Sequence, residues 1–218
     1  MKTIIQWLKA YLLFGTQIVM ACWFIFPLVI KPFHSTEGMS ITWTMFGDLF
    51  VTVNLVLALS QYQTSRSRDD LRVVIVYIVW IVVWSAGLVS IIINGSWLEK
   101  DTIVTVAILV GVLILLGVRW NGSLRATTTE PLTRGFVALL LKSTPQIYLA
   151  YCIMSARSHG GLHWQTLLIG HITVITRWIE IALAAKKNGL NRKNLGMIIS
   201  ESGNELSWLA VTWAWFKF

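Results

Sequence analysis

Long apolar stretches recur along the chain with short polar breaks between them. Seven approach the roughly 20 residues that an α-helix needs to cross a bilayer. They run Ala10–Ile30, Ile41–Gln61, Val73–Ile93, Thr102–Val118, Thr133–Met154, Trp164–Ala185 and Leu195–Phe216. The connections are short, so nearly all backbone polar groups can be satisfied inside helices. The runs are continuous, unlike the alternating ten-residue strands of a membrane barrel. Lys2 and Lys9 precede the first run as they would in a signal peptide. That run is too long for a signal core and ends in Phe26-Pro27-Leu28 rather than a small-residue cleavage site, so it is expected to stay in the mature protein.

Composition narrows the class further. Of 218 residues, 56% are hydrophobic and 13% charged, about half the charge of a soluble domain. A disordered chain and a large extramembrane enzyme domain are both excluded. Lysines and arginines at the connections divide unequally: Lys2, Lys9, Arg66, Arg68, Arg72, Arg119, Arg125, Arg134, Lys186, Lys187, Arg192 and Lys193 face one side, against Lys31, Lys100, Arg157 and Lys217 on the other. The positive-inside rule then places the N-terminus in the cytoplasm and the C-terminus outside, in a plasma or inner membrane. The net charge of +8 reads as this signature and not as a nucleic-acid footprint, because no basic stripe is interleaved with exposed aromatics. Trp7, Trp43, Trp97, Trp120, Trp164 and Trp215 fall near span ends, where an aromatic belt is expected. Cys22 and Cys152 are expected to be small buried hydrophobes.

The chain also repeats itself. His34-Ser35-Thr36-Glu37-Gly38-Met39-Ser40-Ile41 follows the first span, and Arg157-Ser158-His159-Gly160-Gly161-Leu162-His163-Trp164 follows the fifth. Aligning Gly38 with Gly161 brings Gly47 onto Gly170 without a gap, while Thr16-Gln17 matches Pro145-Gln146 if a gap is allowed. The predicted fold is therefore an all-α integral membrane protein of seven helices in a 3+1+3 arrangement. Residues 1–93 form the first triple-helix repeat, 94–131 a linker helix with its loops, and 132–218 the second repeat, all within one membrane domain. An odd linker makes the two triplets parallel, a plan used by transporters that bind solute between the halves.

Pro145-Gln146 followed by Ser158 and Gly161-Leu162 resembles the PQ-loop signature, and Ser35-Thr36-Glu37-Gly38-Met39-Ser40 is similar to its form in SWEET sugar transporters. The resemblance implies a seven-helix 3+1+3 protein with proline hinges for alternating access, here Pro145 with Gln146, and Pro27 in the first repeat. It also implies pocket asparagines on the third and seventh helices. Asn204 matches in the seventh, while the third offers Trp80 and Trp84, aligned with Asn204 and Trp208.

Charges inside a bilayer are costly and usually face a cavity or a partner. Apart from Arg134 at the start of its span, six fall within the spans: Asp48, Lys142, Arg177, Glu180, Glu201 and Glu205. Glu201, Glu205, Trp208 and Thr212 recur at helical spacing as one polar-aromatic face beside Asn204. Arg177 and Glu180 can pair three residues apart, with Asn54 the repeat partner of Arg177 and Asp48 that of His171. Lys142 calls for a carboxylate, with Glu201 or Glu205 the candidates. The substrate-binding set expected from these patterns is Asn204, Glu205, Glu201, Trp208, Asn54, Arg177 and Trp80. Lys142, Glu180, Glu201 and Glu205 form a proton or ion-pair set.

Enzyme signatures are missing: there is no nucleophile elbow, glycine-rich phosphate loop or H-E-x-x-H spacing. The nearest acid–base grouping would be His171, Glu201 and Glu205. No metal or cofactor is expected. The reading is a secondary transporter or facilitator of a small polar or charged solute (a sugar, amino acid or similar), with the lipid bilayer and the solute as partners and self-association left open. The alternative is a non-transporting receptor or assembly partner on the same scaffold.

Overall fold

The computed structural model describes residues 2–218, apart from the side chains of residues 2–10, 125 and 188. Trp7 and the charged groups of Lys2, Lys9 and Arg125 therefore lie outside the described residues. The described chain is helical throughout, without strands. Its helices are α1 (Lys2–Ile25), α2 (Ile41–Ser65), α3 (Arg68–Asn94), α4 (Glu99–Val118), α5 (Leu124–Thr129), α6 (Pro131–Ala156), α7 (Trp164–Asn188) and α8 (Arg192–Lys217). Most run a few residues beyond the apolar stretches, because capped polar turns extend them past the hydrophobic segment. Ser40, Ser67, Glu130 and Asn191 accept backbone N–H groups at the starts of α2, α3, α6 and α8. The one-and-a-half-turn α5, capped by Ser123, was not expected from the sequence.

Six helices are long and apolar enough to cross a membrane: Tyr11–Phe33, Ile41–Ser65, Arg68–Asn94, Glu99–Val118, Pro131–Ala156 and Trp164–Lys187. The protein is thus a multi-pass membrane protein by length and composition. The seventh expected span, Leu195–Phe216, lies within α8, which is 26 residues long. It falls outside those six, and its buried residues include Asn194, Ser200, Glu201, Asn204 and Ser207. Such a helix is tolerated where its polar face meets protein rather than lipid. The most extensive helix contact in the molecule, between α6 and α8, provides that cover.

α3 packs on both α1 and α2, and α8 packs on both α6 and α7. The two groups meet through α2 against α6 and α1 against α7. α4 stands at the margin, touching α6 and α2, with Ile103, Val106, Leu113 and Ile114 exposed as a lipid-facing helix requires.

Gly47 lies against the Trp84 ring and Gly170 against the Trp208 ring, so a Cβ at either glycine would overlap an indole. The loops after α1 and α6 also pack on each other. Gly38, at φ +73°, sits against the Ser158 carbonyl, while Gly161 sits against Glu37 and Met39. The Gly161 N–H donates to Glu37 O at 2.9 Å, and Ser158 Oγ donates to Glu37 Oε2 at 2.9 Å. Only glycine meets both demands at position 38, positive φ and backbone contact.

Past Ile25, α1 loosens into a wide turn over Phe26–Ile30, in which Lys31 N–H reaches back to Phe26 O, then tightens through Lys31–Phe33. Pro27, expected as a hinge, is buried at the start of this turn. Its missing N–H is the local reason for the irregularity. Ser90 Oγ donates to Val29 O at 2.7 Å, satisfying a carbonyl within that segment.

Candidate functional site: a polar cavity between the helix groups

Contacts of Thr42 with Asp101, Glu37 with Ser158 and Trp215 with Leu162 gather the connections α1–α2, α3–α4 and α6–α7 at one end of the bundle, which leaves α2–α3, α4–α6 and α7–α8, with most of the basic residues, at the other. A cavity of about 480 Å3 reaches inward from this end. Gln61, Arg134 and Lys193 line its mouth, and Trp43, Trp84 and Trp208 its far end. Between them lie Gln17 from α1, Asn54 from α2, Tyr77 and Trp80 from α3, Lys142 and Gln146 from α6, Thr173 and Arg177 from α7, and Ser200, Glu201 and Asn204 from α8.

Lys142 Nζ donates to Glu201 Oε1 at 2.8 Å, which answers the requirement for a carboxylate near Lys142. The Lys142 ammonium also lies 4.9 Å from the Phe50 ring centre, close enough for a cation–π contact. Asn204 Nδ2 donates to Glu201 Oε2 at 3.0 Å, so both oxygens of this carboxylate are engaged. Arg177 Nη1 donates to Glu180 Oε2 at 2.7 Å, the expected pair one turn apart. Glu180 itself lies behind Arg177 and does not line the cavity. Ser207 Oγ donates to Gln146 Oε1, tying the residue after Pro145 to α8.

Some buried polar atoms in this wall have no protein partner. Gln17 is 2% exposed, and neither its amide nitrogen nor its amide oxygen is hydrogen-bonded. Asn204 Oδ1 is likewise buried and unpaired. A buried amide without a partner is costly, so such groups facing a cavity are natural ligands for a polar guest.

At the far end the tryptophans seal one another. Trp43 meets Trp84 at 5.2 Å and Trp208 at 6.2 Å between ring centres, both edge to face. Phe24 packs against Trp80 and Trp84 at 5.8 and 5.5 Å. Trp43 was expected in an interfacial belt. It is instead 2% exposed and the hub of this seal, because the turn it occupies points inward. Trp97, Trp120 and Trp164 are exposed near helix ends as a belt requires. Cys22, expected to be buried, is exposed on α1, where lipid suits it as well as a core would.

Glu205 does not join the cavity. Its Oε1 lies 3.0 Å from His171 Nδ1, and His171 Nε2 lies 2.9 Å from Thr212 Oγ1. The polar stripe of α8 is therefore divided: Glu201, Asn204 and Trp208 face the cavity, while Glu205 and Thr212 turn to α7. The helical repeat put these residues on one broad face, whose two edges meet different neighbours. Asp48 Oδ1 accepts from Ser85 Oγ at 2.8 Å, also outside the cavity.

Sequence reasoning missed several participants, Gln61, Tyr77, Thr173 and Ser200 of the cavity wall among them. Gln17 showed only in the repeat alignment. Arg134 and Lys193 read as orientation charges. Asp101, 2% exposed, accepts from Thr42 Oγ1 at 2.7 Å, Ser40 Oγ at 3.3 Å and Leu98 N–H at 2.9 Å. It ties the starts of α2 and α4 together at the sealed end, and it lies one residue before the expected fourth span, among connection residues given no role from the sequence.

Comparison with family models, curated proteins and solved structures found no match to this chain. The cavity must be read from its own chemistry.

Proposed function

We propose that this chain is a seven-span secondary transporter of PQ-loop and SWEET-like 3+1+3 design, moving a small polar or charged solute by alternating access. The carrying observation is the cavity, which reaches in from the basic end to unpaired amides at mid-depth and stops at a tryptophan seal. By the positive-inside rule the basic end is cytoplasmic, so this conformation faces inward, with the N-terminus inside and the C-terminus outside. Two features support the repeat. Gly47 with Trp84 and Gly170 with Trp208 make equivalent contacts, and the Gly38 and Gly161 loops close on each other. On this reading α8 is the seventh span, its polarity facing the cavity and α7.

Outward opening requires the Glu37–Ser158 and Glu37–Gly161 hydrogen bonds to part and the tryptophan cluster to separate. Pro27 and Pro145 are the points where α1 and α6 bend. Interactions of this size, about 1 kcal/mol per hydrogen bond, can be exchanged between two packed states without unfolding the helices.

Side-specific labelling separates a transporter from a receptor. In a background with Cys22 and Cys152 replaced by serine, Asn54→Cys in oriented liposomes should react with an impermeant thiol reagent from either face. Reaction from the basic end alone, under all conditions, favours the receptor reading, in which the pocket never opens to the other side.

A further inference from the structure

We propose that the cavity takes a small organic monocarboxylate on Lys142 and that Glu201 takes up a proton as the solute binds. This rests on the transport reading above. Among the described residues four cations, Arg134, Lys142, Arg177 and Lys193, line the cavity; Glu201 pairs with Lys142 and Glu180, behind the wall, with Arg177, which leaves Arg134 and Lys193 as the net positive charge. Low-dielectric walls focus that field and draw anions inward while opposing cations.

At the bottom of this field, however, Glu201 already holds the Lys142 ammonium at 2.8 Å. A solute carboxylate beside an ionised Glu201 meets like-charge repulsion where solvent screens poorly. A proton arriving through the mouth and bonding to Glu201 Oε2 removes that repulsion. It frees the ammonium for the solute and leaves the total charge at this depth unchanged.

Asn204 is built to follow the change. Its Nδ2 now donates to Glu201 Oε2 at 3.0 Å, and its Oδ1 is buried without a partner. Turning the amide over lets Oδ1 accept the new O–H of Glu201 and frees Nδ2 to donate to the solute. Gln17, 2% exposed and unpaired at both amide atoms, adds a second donor from the opposite helix group. Trp80, Trp84 and Trp208 offer an apolar floor for the solute's carbon skeleton.

The charged and titratable groups that share the cavity with Glu201 are Lys142 and Arg134 from α6, Arg177 with Glu180 behind it from α7, Tyr77 from α3 and Lys193 on α8 itself. From α1 and α2 come the amides of Gln17 and Asn54. His171 and Glu205 bond to each other outside the cavity.

Benzoate, benzyl alcohol and benzylamine share one ring and differ in charge. Calorimetry on the full chain in lipid nanodiscs should show benzoate binding at least about tenfold tighter than the other two, a gap of about 1.4 kcal/mol. Titrations in buffers of different ionisation enthalpy should report about one proton taken up per benzoate, with affinity falling about tenfold per pH unit. Glu201→Gln should take up no proton and bind with a pH-independent affinity. Lys142→Gln should weaken benzoate at least about tenfold. The double variant Lys142→Gln with Glu201→Gln, which removes both members of the buried pair, should do the same if the single variant does not fold. Equal binding of benzyl alcohol, or proton uptake that survives Glu201→Gln, overturns the proposal. Flux of a neutral or cationic solute without benzoate binding overturns this inference and leaves transport standing. Benzoate binding with proton uptake but no flux supports the site and removes the transport reading.

Discussion

The helix groups α1–α3 and α6–α8 share a packing scheme and differ in chemistry. In each, the third helix lies against the other two, and a glycine accepts a tryptophan ring. Yet among the described residues α1–α3 give the cavity amides and aromatics, such as Gln17, Asn54, Tyr77, Trp80 and Trp84, and no charged group. The cations and the carboxylate all come from α6–α8. The backbone approach differs as well. Gly135 and Gly196 bring α6 and α8 into main-chain contact, whereas the wide turn after α1 packs on α3 through a larger side chain, Leu28 on Gly87. The lesson is that a shared framework can keep its aromatic seal in both halves while one half specialises in charge. A closely packed polar helix then supplies the charged wall of the cavity.

The largest expected effect falls on the element common to both groups. Trp43→Ala removes the ring that touches Trp84 and Trp208 and should cost about 3–5 kcal/mol of stability, read as a lower midpoint of thermal unfolding in detergent. Next comes the charged half. Lys142→Gln leaves Glu201 buried and uncompensated, a loss of about 3–5 kcal/mol. The double variant with Glu201→Gln should recover most of it, and no recovery would mean the pair is not coupled as its 2.8 Å separation implies.

Gly47→Ala and Gly170→Ala sharpen the shared part of the comparison. Each forces an indole to move and should cost about 1–3 kcal/mol, by similar amounts. A large effect at one position alone would break the equivalence.

The smallest effect belongs to a helix end outside the spans. The Glu130 carboxyl is held down at about 2, chiefly by the Thr133 backbone N–H it caps, against an ordinary value of 4.5. Its charged form is favoured on folding, so its contribution is complete above pH 4.5 and disappears as the pH falls toward 2. Glu130→Ala should cost about 1 kcal/mol at neutral pH, and the difference from wild type should shrink on acidification over that range.

Much of this was legible in the chain. Bilayer-length apolar runs fix a helical membrane protein, and equal spacing from the two loops marks Gly47 and Gly170 as counterparts. Lys142 announced its need for a carboxylate, and Arg177 with Glu180 declared their pairing by spacing alone. The remainder depends on distances that periodicity does not encode. Glu201 and Glu205 differ by one helical turn, yet face different neighbours. Trp43 lies near a helix end, where tryptophan is as much at home in the interface as in a core. Gln17 matters because nothing pairs with it, which only the folded arrangement can reveal.

Alternating access is tested most directly by flux in sealed liposomes carrying the purified chain. An inward proton gradient should drive labelled benzoate uptake at an initial rate above that of protein-free liposomes, into which benzoic acid leaks unaided, and Glu201→Gln should abolish that excess. Folded wild-type protein that moves neither benzoate nor any member of a sugar and amino-acid panel would contradict the account.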